Sequence, residues 1–362
     1  MSQQSLNSLT RRKFWPTTAG MLSLAVSCGR GQTMVESHLK ELSPSESRLI
    51  THTLGTTRVP KVPQRLVALT GTLELEALLV LGVKPFAAAG DDREFGRTVW
   101  QPHLKEQLHG VEMLPSRRNV NLEKLAALQP DLIIGALVFD IESIYPQLSQ
   151  IAPTVTLDSS QPWQSHLRLV AQVVDKAEQA ETWISTFEQR VAALANTYGE
   201  KVTGITYTTG SFRNQRQFHM STGHELDQML QQIGFIRPSE HNQIGKVQRG
   251  SFRRADISLE RLDLIDTDLL FFYSYEYPTI QKAHELPEFD QFLKEEPLLR
   301  RLRAIENGRA FLVPAYYWFL GRAMGIPLIV DDLEATILPF IIQQSHSQAV
   351  RLPDRLYKNK LQ

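Results

Sequence analysis

The residues best suited to chemistry in this chain are arginines and aromatics gathered at the predicted strand ends: Trp100, Arg117, Arg118, Phe212, Arg213, Arg216, Arg253, Arg254, Tyr273, Tyr275, Tyr316, Tyr317, Trp318 and Arg322. A guanidinium pairs with anionic oxygens in fork geometry, and an aromatic face covers flat ligand surface. Together they describe a binder of an anionic, fairly bulky small molecule. About half of the set is expected to touch ligand, the other aromatics serving the core and the other arginines the solvent.

Catalytic arrangements are missing. The chain has no Gly-x-Ser-x-Gly elbow, no phosphate loop, no dinucleotide glycine fingerprint after a strand, and one cysteine, Cys28. His219 and His224 are five residues apart with His241 beyond, a spacing that does not put two imidazoles on one helical face, so they read as surface or capping residues. Asp331 and Asp332 read as acids at a helix N-terminus.

The elements that must position these residues follow from a repeat. Asn121-Leu122-Glu123-Lys124-Leu125 through Pro130-Asp131-Leu132-Ile133-Ile134 matches Ser258-Leu259-Glu260-Arg261-Leu262 through Asp268-Leu269-Leu270-Phe271 in Leu, Glu, Leu, Asp and Leu. Each copy predicts a turn of helix capped by Asn121 or Ser258, an acid in its first turn, and a strand buried on both faces. Between the copies the period of Leu167, Val170, Val174, Ala180, Ile184, Phe187, Val191 and Leu194 predicts a helical spine, with a bend near Asp175-Lys176.

Ahead of the first copy, Arg65–Leu69 predicts a strand, Thr70-Gly71-Thr72 a turn, Leu73–Leu81 a helix stopped by Gly82, and Val83–Ala89 another strand. Thr70 thus stands at a strand's carboxyl end, where open α/β sheets bind ligands. Gly90 to Val120 reads as mostly solvated loop. Beyond the spine, Thr203–Thr208 predicts a strand, residues 210–217 a basic loop, Glu225–Ile233 a helix stopped by Gly234, and residues 240–251 a loop. A helix near Gln291–Arg303, a strand at Ala310–Val313 and a helix at Ile326–Ile341 complete this half.

With 362 residues, 42% of them hydrophobic, the chain is long enough for two lobes, and a formal net charge of zero gives no reason to expect nucleic acid. Thr10-Arg11-Arg12-Lys13-Phe14 is a twin-arginine pattern, and the uncharged stretch after it is too short and polar to span a membrane. The expected organisation is a signal segment over residues 1–27, a polar tether at 28–57 that adds nothing to the core, an α/β lobe at 58–160, an interlobe helix at 161–199, a second α/β lobe at 200–345 and a polar tail at 346–362.

From about Arg58 to Gln344 the chain resembles the class III substrate-binding proteins of bacterial ABC importers, which carry ferric siderophores, haem or cobalamin. The resemblance rests on Pro63-Gln64-Arg65-Leu66-Val67-Ala68-Leu69, on the two Leu-Glu segments, and on Trp318 followed by Leu328-Ile329-Val330-Asp331-Asp332-Leu333. It implies two Rossmann-like α/β lobes joined by a single long spanning helix, with the ligand between them and little hinge motion. It also implies a non-catalytic cycle: capture a ferric siderophore, dock on a permease dimer with its ATPase, and release.

On that resemblance, the expected ligand-facing residues are Thr70, Trp100, Arg117, Phe212, Arg216, Arg253, Tyr275, Tyr317, Trp318 and Arg322, and no cofactor or directly bound metal is expected, since the chelator holds the iron. Glu123 and Glu260 match the glutamates that project toward the permease. Val120 stands where the family often has proline, so Arg117 is placed by its spacing from Glu123. Leu24-Ala25-Val26-Ser27-Cys28 resembles a lipobox, with Ala25 where leucine is commoner, which implies a lipid on Cys28 and a monomer held at the cell envelope or periplasm. The competing readings are a haem or cobalamin carrier, for which axial His or Tyr would matter, and a secreted two-lobed enzyme.

Overall fold

The computed structural model describes residues 43, 45–94, 97–114, 118–138, 140–213, 217–223, 225–249, 252–319 and 321–351. The first lobe opens with an antiparallel hairpin of β1 (Ser47–His52) and β2 (Gly55–Pro60). Then come β3 (Leu66–Ala68), α1 (Thr72–Val80), β4 (Ala87–Ala89), a ribbon of β5 (Asp91–Glu94) and β6 (Arg97–Val99), and β7 (Glu112–Leu114). After these follow α2 (Leu122–Ala127), β8 (Leu132–Ala136), α3 (Ile141–Ile151) and β9 (Thr154–Leu157).

Five of these strands form a parallel sheet in the order β7-β4-β3-β8-β9. Every residue of β3, β4, β8 and β9 is buried, because helices cover both faces of a parallel sheet and an apolar run without alternation suits that place. Alternate residues serve two cores: Leu66, Ala68, Leu132 and Ile134 pack with α1 and the spine, while Val67, Leu69, Ile133 and Ala87 pack with α2 and α3.

Two expectations for this lobe need correction. The last part of the supposed tether is the β1–β2 hairpin, and Ile50 and Val59 lie in the core. Its polar residues are satisfied against β9: Thr57 donates to the Thr154 carbonyl at 3.1 Å, and His52 bonds Thr156 at 2.8 Å. That side-chain bonding lets a segment with weak alternation dock on the sheet edge. The region from Gly90 to Val120 is likewise not only loop, since β7 extends the sheet and Leu104 and Leu108 are buried.

The spine is two helices, α4 (Trp163–Val174) and α5 (Ala177–Val202), broken where Asp175 takes a left-handed conformation at φ 62°. Helix α4 packs on α1, and α5 packs on helices of the second lobe. At 26 residues α5 is about 39 Å long. Its buried stripe, Ala180, Ile184, Phe187, Val191 and Leu194, keeps helical spacing and a single face inward.

The second lobe contains β10 (Tyr207–Arg213), β11 (Gln217–Thr222), α6 (Glu225–Ile233), β12 (Lys246–Arg249), β13 (Phe252–Ser258), β14 (Leu269–Ser274) and β15 (Gln281–Lys282). It continues with α7 (Pro287–Glu295), α8 (Arg303–Glu306), β16 (Ala310–Pro314), α9 (Ala315–Trp318), α10 (Gly325–Asp332) and, after one π turn, α11 (Leu338–Arg351). Its sheet runs β12-β13-β11-β10-β14-β16-β15, with β10, β14 and β16 parallel.

Here too the expectations miss antiparallel strands. The basic stretch from 210 begins as strand, because β10 continues to Arg213 and pairs with β11, while β12 begins within the stretch expected as a loop at 240–251 and pairs with β13. Gly210 permits the pairing, since a Cβ there would collide with the Phe218 ring. In β13 the buried Ala255 and Ile257 alternate with Arg254, Asp256 and Ser258, and so many polar residues in one strand obscure its period. At the end of the chain α11 runs on to Arg351, into the segment expected as a polar tail.

The repeat is real and goes deeper than its caps. Asn121 accepts from the Lys124 amide at 2.8 Å, as a capping residue should, whereas Ser258 makes no such bond and its turn is 3-10, with Arg261 non-helical. What both copies share is the aspartate. Asp131 accepts from the amides of Gln64 and Arg65 at 2.6 and 2.9 Å, and Asp268 from that of Thr206 at 2.8 Å, so each ties its turn to the entry of a neighbouring strand. No helix among the described residues is long and apolar enough to cross a membrane.

Candidate ligand-binding cleft

Both lobes start a helix at a Thr-Gly turn over a buried carboxylate. In the first, Glu74 accepts from the amides of Thr70 and, at 2.9 Å, Gly71, and from the Thr70 hydroxyl at 2.8 Å. In the second, Asp227 accepts from the Gly223 amide, from the Tyr207 hydroxyl at 3.0 Å and from Arg237 at 2.8 Å. Arg237 also donates to the Thr209 hydroxyl at 2.9 Å and lies 4.5 Å from the Tyr207 ring centre. Each turn is thereby fixed from within, and the strand ends around it hold their shape.

Glu76, two residues after Glu74, joins the lobes. It is fully buried and accepts from the amides of Arg322, Met324 and Gly325 at 2.7, 2.9 and 2.9 Å, at the start of α10 in the second lobe. Those amides have no intrahelical partner, and the helix dipole favours an anion there. His103 Nε2 bonds the same carboxylate at 3.1 Å, and the Tyr317 ring meets the His103 ring edge-on at 5.8 Å. Trp183 of α5 donates to the Ala323 carbonyl at 2.8 Å, holding the segment from the other side.

Four expected ligand residues are committed elsewhere. The Thr70 hydroxyl donates to Glu74 and accepts from the Ala136 amide at 2.7 Å, which leaves it structural. Phe212 packs in an aromatic cluster with Phe218, Phe272 and Phe292. Trp318 is 2% exposed, and its indole N–H and the Tyr317 hydroxyl both donate to Asp332 at 2.8 and 2.9 Å. Asp331 and Asp332 therefore close α10 and do not begin it, with Asp331 accepting from Arg190 of α5 at 2.7 Å.

Trp100 and Arg322 remain near the lobe junction. Trp100 is partly exposed and lines, with Gly71, Thr72, Ala89, Gly90 and Gln101, a hollow at the carboxyl ends of β3 and β4 that has room for about one water. Arg322 is partly buried and donates to Glu225, at the start of α6, at 3.3 Å. Arg253 is half-buried on β13, and Tyr275 is exposed with its ring edge-on to Tyr316 at 5.1 Å. Glu123 and Glu260 are exposed in the first turns of their helices. Arg117, Arg216 and Cys28 lie outside the described residues.

His219 pairs with Asp256 at 2.5 Å and His241 bonds the Leu264 carbonyl at 2.6 Å. Among the described residues no cluster of His, Cys, Asp and Glu could hold a metal. A larger cavity of about 280 Å³ opens among Phe289, Leu293, Arg300 and Ala310, at the start of β16 and so away from the carboxyl strand ends.

This is the architecture of a class III substrate-binding protein: two α/β lobes, a helical connection and a junction at the strand ends. The chain belongs to the periplasmic binding protein family, whose model matches residues 67–317. It is 33% identical over 303 residues to the Bacillus subtilis (strain 168) protein named probable siderophore-binding lipoprotein YfiY, covering 82% of this chain and 90% of that one. It is 25% identical over 277 residues to the achromobactin-binding periplasmic protein of Dickeya dadantii (strain 3937), covering 75% and 86%. Among solved structures the fold matches Staphylococcus aureus SirA complexed with staphyloferrin B, with a TM-score of 0.63 and 23% identity over 79% of this chain and 97% of that one.

Burial pushes Glu74 from 4.5 up to about 7, against its hydrogen bonds from Thr70 and Gly71. Between those values the native state binds more protons than the unfolded chain, so this group's contribution to stability falls as pH rises through the window and is constant above it. In urea unfolding at pH 4.5, 6 and 7.5, Glu74→Gln should gain on wild type with rising pH, by on the order of 3 kcal/mol across the window. A stability difference between the two proteins that stays constant with pH would show that Glu74 does not titrate there.

Proposed function

We propose that the protein captures a ferric siderophore between its lobes and delivers it to the permease of an ABC importer, with no chemical step of its own. The observation that carries this reading is the siderophore-binding relative at 33% identity, matched along 82% of this chain, on a fold with a junction between two lobes. Binding by a carrier needs preformed lobes and convergent polar groups more than it needs catalytic pKa tuning. The buried carboxylates under the Thr-Gly turns and the Glu76 contact supply that rigidity.

The iron is cargo, held by its chelator. Trp100, Arg117, Arg216, Arg253, Tyr275 and Arg322 are the residues proposed to face it. Fluorescence titration with ferric hydroxamate, catecholate and hydroxycarboxylate chelates tests the reading, with Trp100 as reporter because Trp318 is buried. Arg117→Ala and Arg216→Ala should each weaken binding roughly ten- to a hundredfold, the worth of a charge-assisted hydrogen bond of about 1.5–3 kcal/mol. Unchanged affinity in both would point to an uncharged ligand.

Export by the twin-arginine segment and a lipid on Cys28 would hold the carrier at the envelope. Cys28→Ser should then move the protein from the membrane to the soluble fraction, and membrane retention with no acyl group on wild type would refute the anchor.

Glu123 and Glu260 are proposed to dock on the permease. They are exposed at equivalent places in the two halves, so a two-fold permease could offer a cation to each. As mere dipole partners they would be worth about 0.3–1 kcal/mol of stability. The Glu123→Ala/Glu260→Ala double variant should keep its Tm within a few degrees and its ligand affinity, while uptake in cells nearly stops. Normal uptake would leave docking to other residues.

A further inference from the structure

The buried polar network of the second lobe ends in hydroxyls that no described residue completes. Asp227 binds Arg237, Arg237 donates to Thr209, and Thr209 donates to the Ser221 carbonyl at 2.9 Å. Just beyond, the hydroxyls of Ser221 and Tyr273 are buried and hydrogen-bond no described residue, as is that of Thr222 at the end of the same strand. Ser221 is 1% exposed. An unsatisfied buried hydroxyl is costly and rare, so a pair of them marks a place that something else completes.

Strand alternation puts Ser221 and Tyr273 on one face of the sheet. Thr209 is paired with Phe271, and Tyr273 lies two residues further along β14. Ser221 alternates with Met220, which packs in the core of the opposite face. Arg254 is in register with Ser221 and so shares this face. The Phe319 ring lies over both arms of the cluster, 5.1 Å from the Tyr273 ring and 5.2 Å from the Arg254 guanidinium.

We propose that Ser221 and Tyr273 form a hydrogen-bonding subsite in the second lobe that receives an anionic oxygen, the carboxylate or hydroxycarboxylate arm of the ferric chelate, when the Phe319 ring moves aside. The inference rests on the carrier reading and narrows its ligand class. Two hydroxyl donors beside a guanidinium suit an anion, since hydrogen bonds to an ionised acceptor are the strong ones. The Tyr273 phenol stays a donor throughout the neutral range, because burial pushes it up to about 12.

The test uses the full chain with Tyr273→Phe and Ser221→Ala, titrated with ferric citrate, whose arms are carboxylates, and with ferrichrome, an uncharged trihydroxamate. Each variant should bind ferric citrate about tenfold more weakly than wild type, while the ligand-free Tyr273→Phe protein melts at or above the wild-type temperature, having lost only an unsatisfied hydroxyl. Unchanged ferric citrate affinity in both variants overturns the subsite. A lower Tm for ligand-free Tyr273→Phe, with equal losses for both chelates, makes the hydroxyl structural and overturns it as well. Wild-type protein that binds ferrichrome but not ferric citrate removes the subsite and leaves the carrier reading in place. Wild-type protein that binds no ferric chelate removes both.

Discussion

The Glu76 carboxylate is the contact on which the relation of the two lobes depends. It is a polar side chain on an apolar helix, fully buried, and such a group is tolerated only where donors replace its water. Three amides at the start of α10 and His103 do so. The dependence is mutual, since without Glu76 those amides would be buried with no acceptor. Once α10 is placed, its other end is placed too. Asp332 receives Tyr317 and Trp318, and Asp331 receives Arg190 of α5, so one carboxylate in the first lobe fixes the aromatic turn and the seat of the long helix in the second.

That chain of contacts also holds the aromatic turn in place. Trp318 packs on Phe271 in a tilted pair with ring centres 5.0 Å apart and gives its N–H to Asp332, so both its apolar face and its polar edge are occupied. Burial pushes Asp332 upward, and the two donors oppose that shift. A tryptophan satisfied at both ends is a structural element.

Much of this could be read from the residues, and the failures have physical causes. Helix α6 and strand β16 fall where the pattern puts them, because each is a clean apolar period bounded by a turn. Strands β12 and β13 are hard to read because Arg253 and Arg254 interrupt the apolar alternation of β13, while β12, at the sheet edge, is a short and mostly polar run that looks like loop. The reversal of Asp331 and Asp332 was avoidable. Pro327 is tolerated only near a helix start, so a helix through it must begin at about Gly325 and reach the aspartates at its far end.

Glu76 left a signal as well. In Thr72-Leu73-Glu74-Leu75-Glu76-Ala77-Leu78-Leu79-Val80 two acids stand two apart, about 200° around the helix at 3.6 residues per turn, so they cannot share a face. Apolar residues surround both, and a helix that is hydrophobic on all sides is buried on all sides. At least one glutamate had to be inside with its own set of donors, and in the fold both are. Composition reveals that such a residue needs partners; only the chain's three-dimensional course reveals that Glu74 finds them in the turn beside it and Glu76 in the other lobe. The same limit applies to Ser221 and Tyr273, which look like ordinary strand residues until the fold shows which hydroxyls have no partner among the described residues.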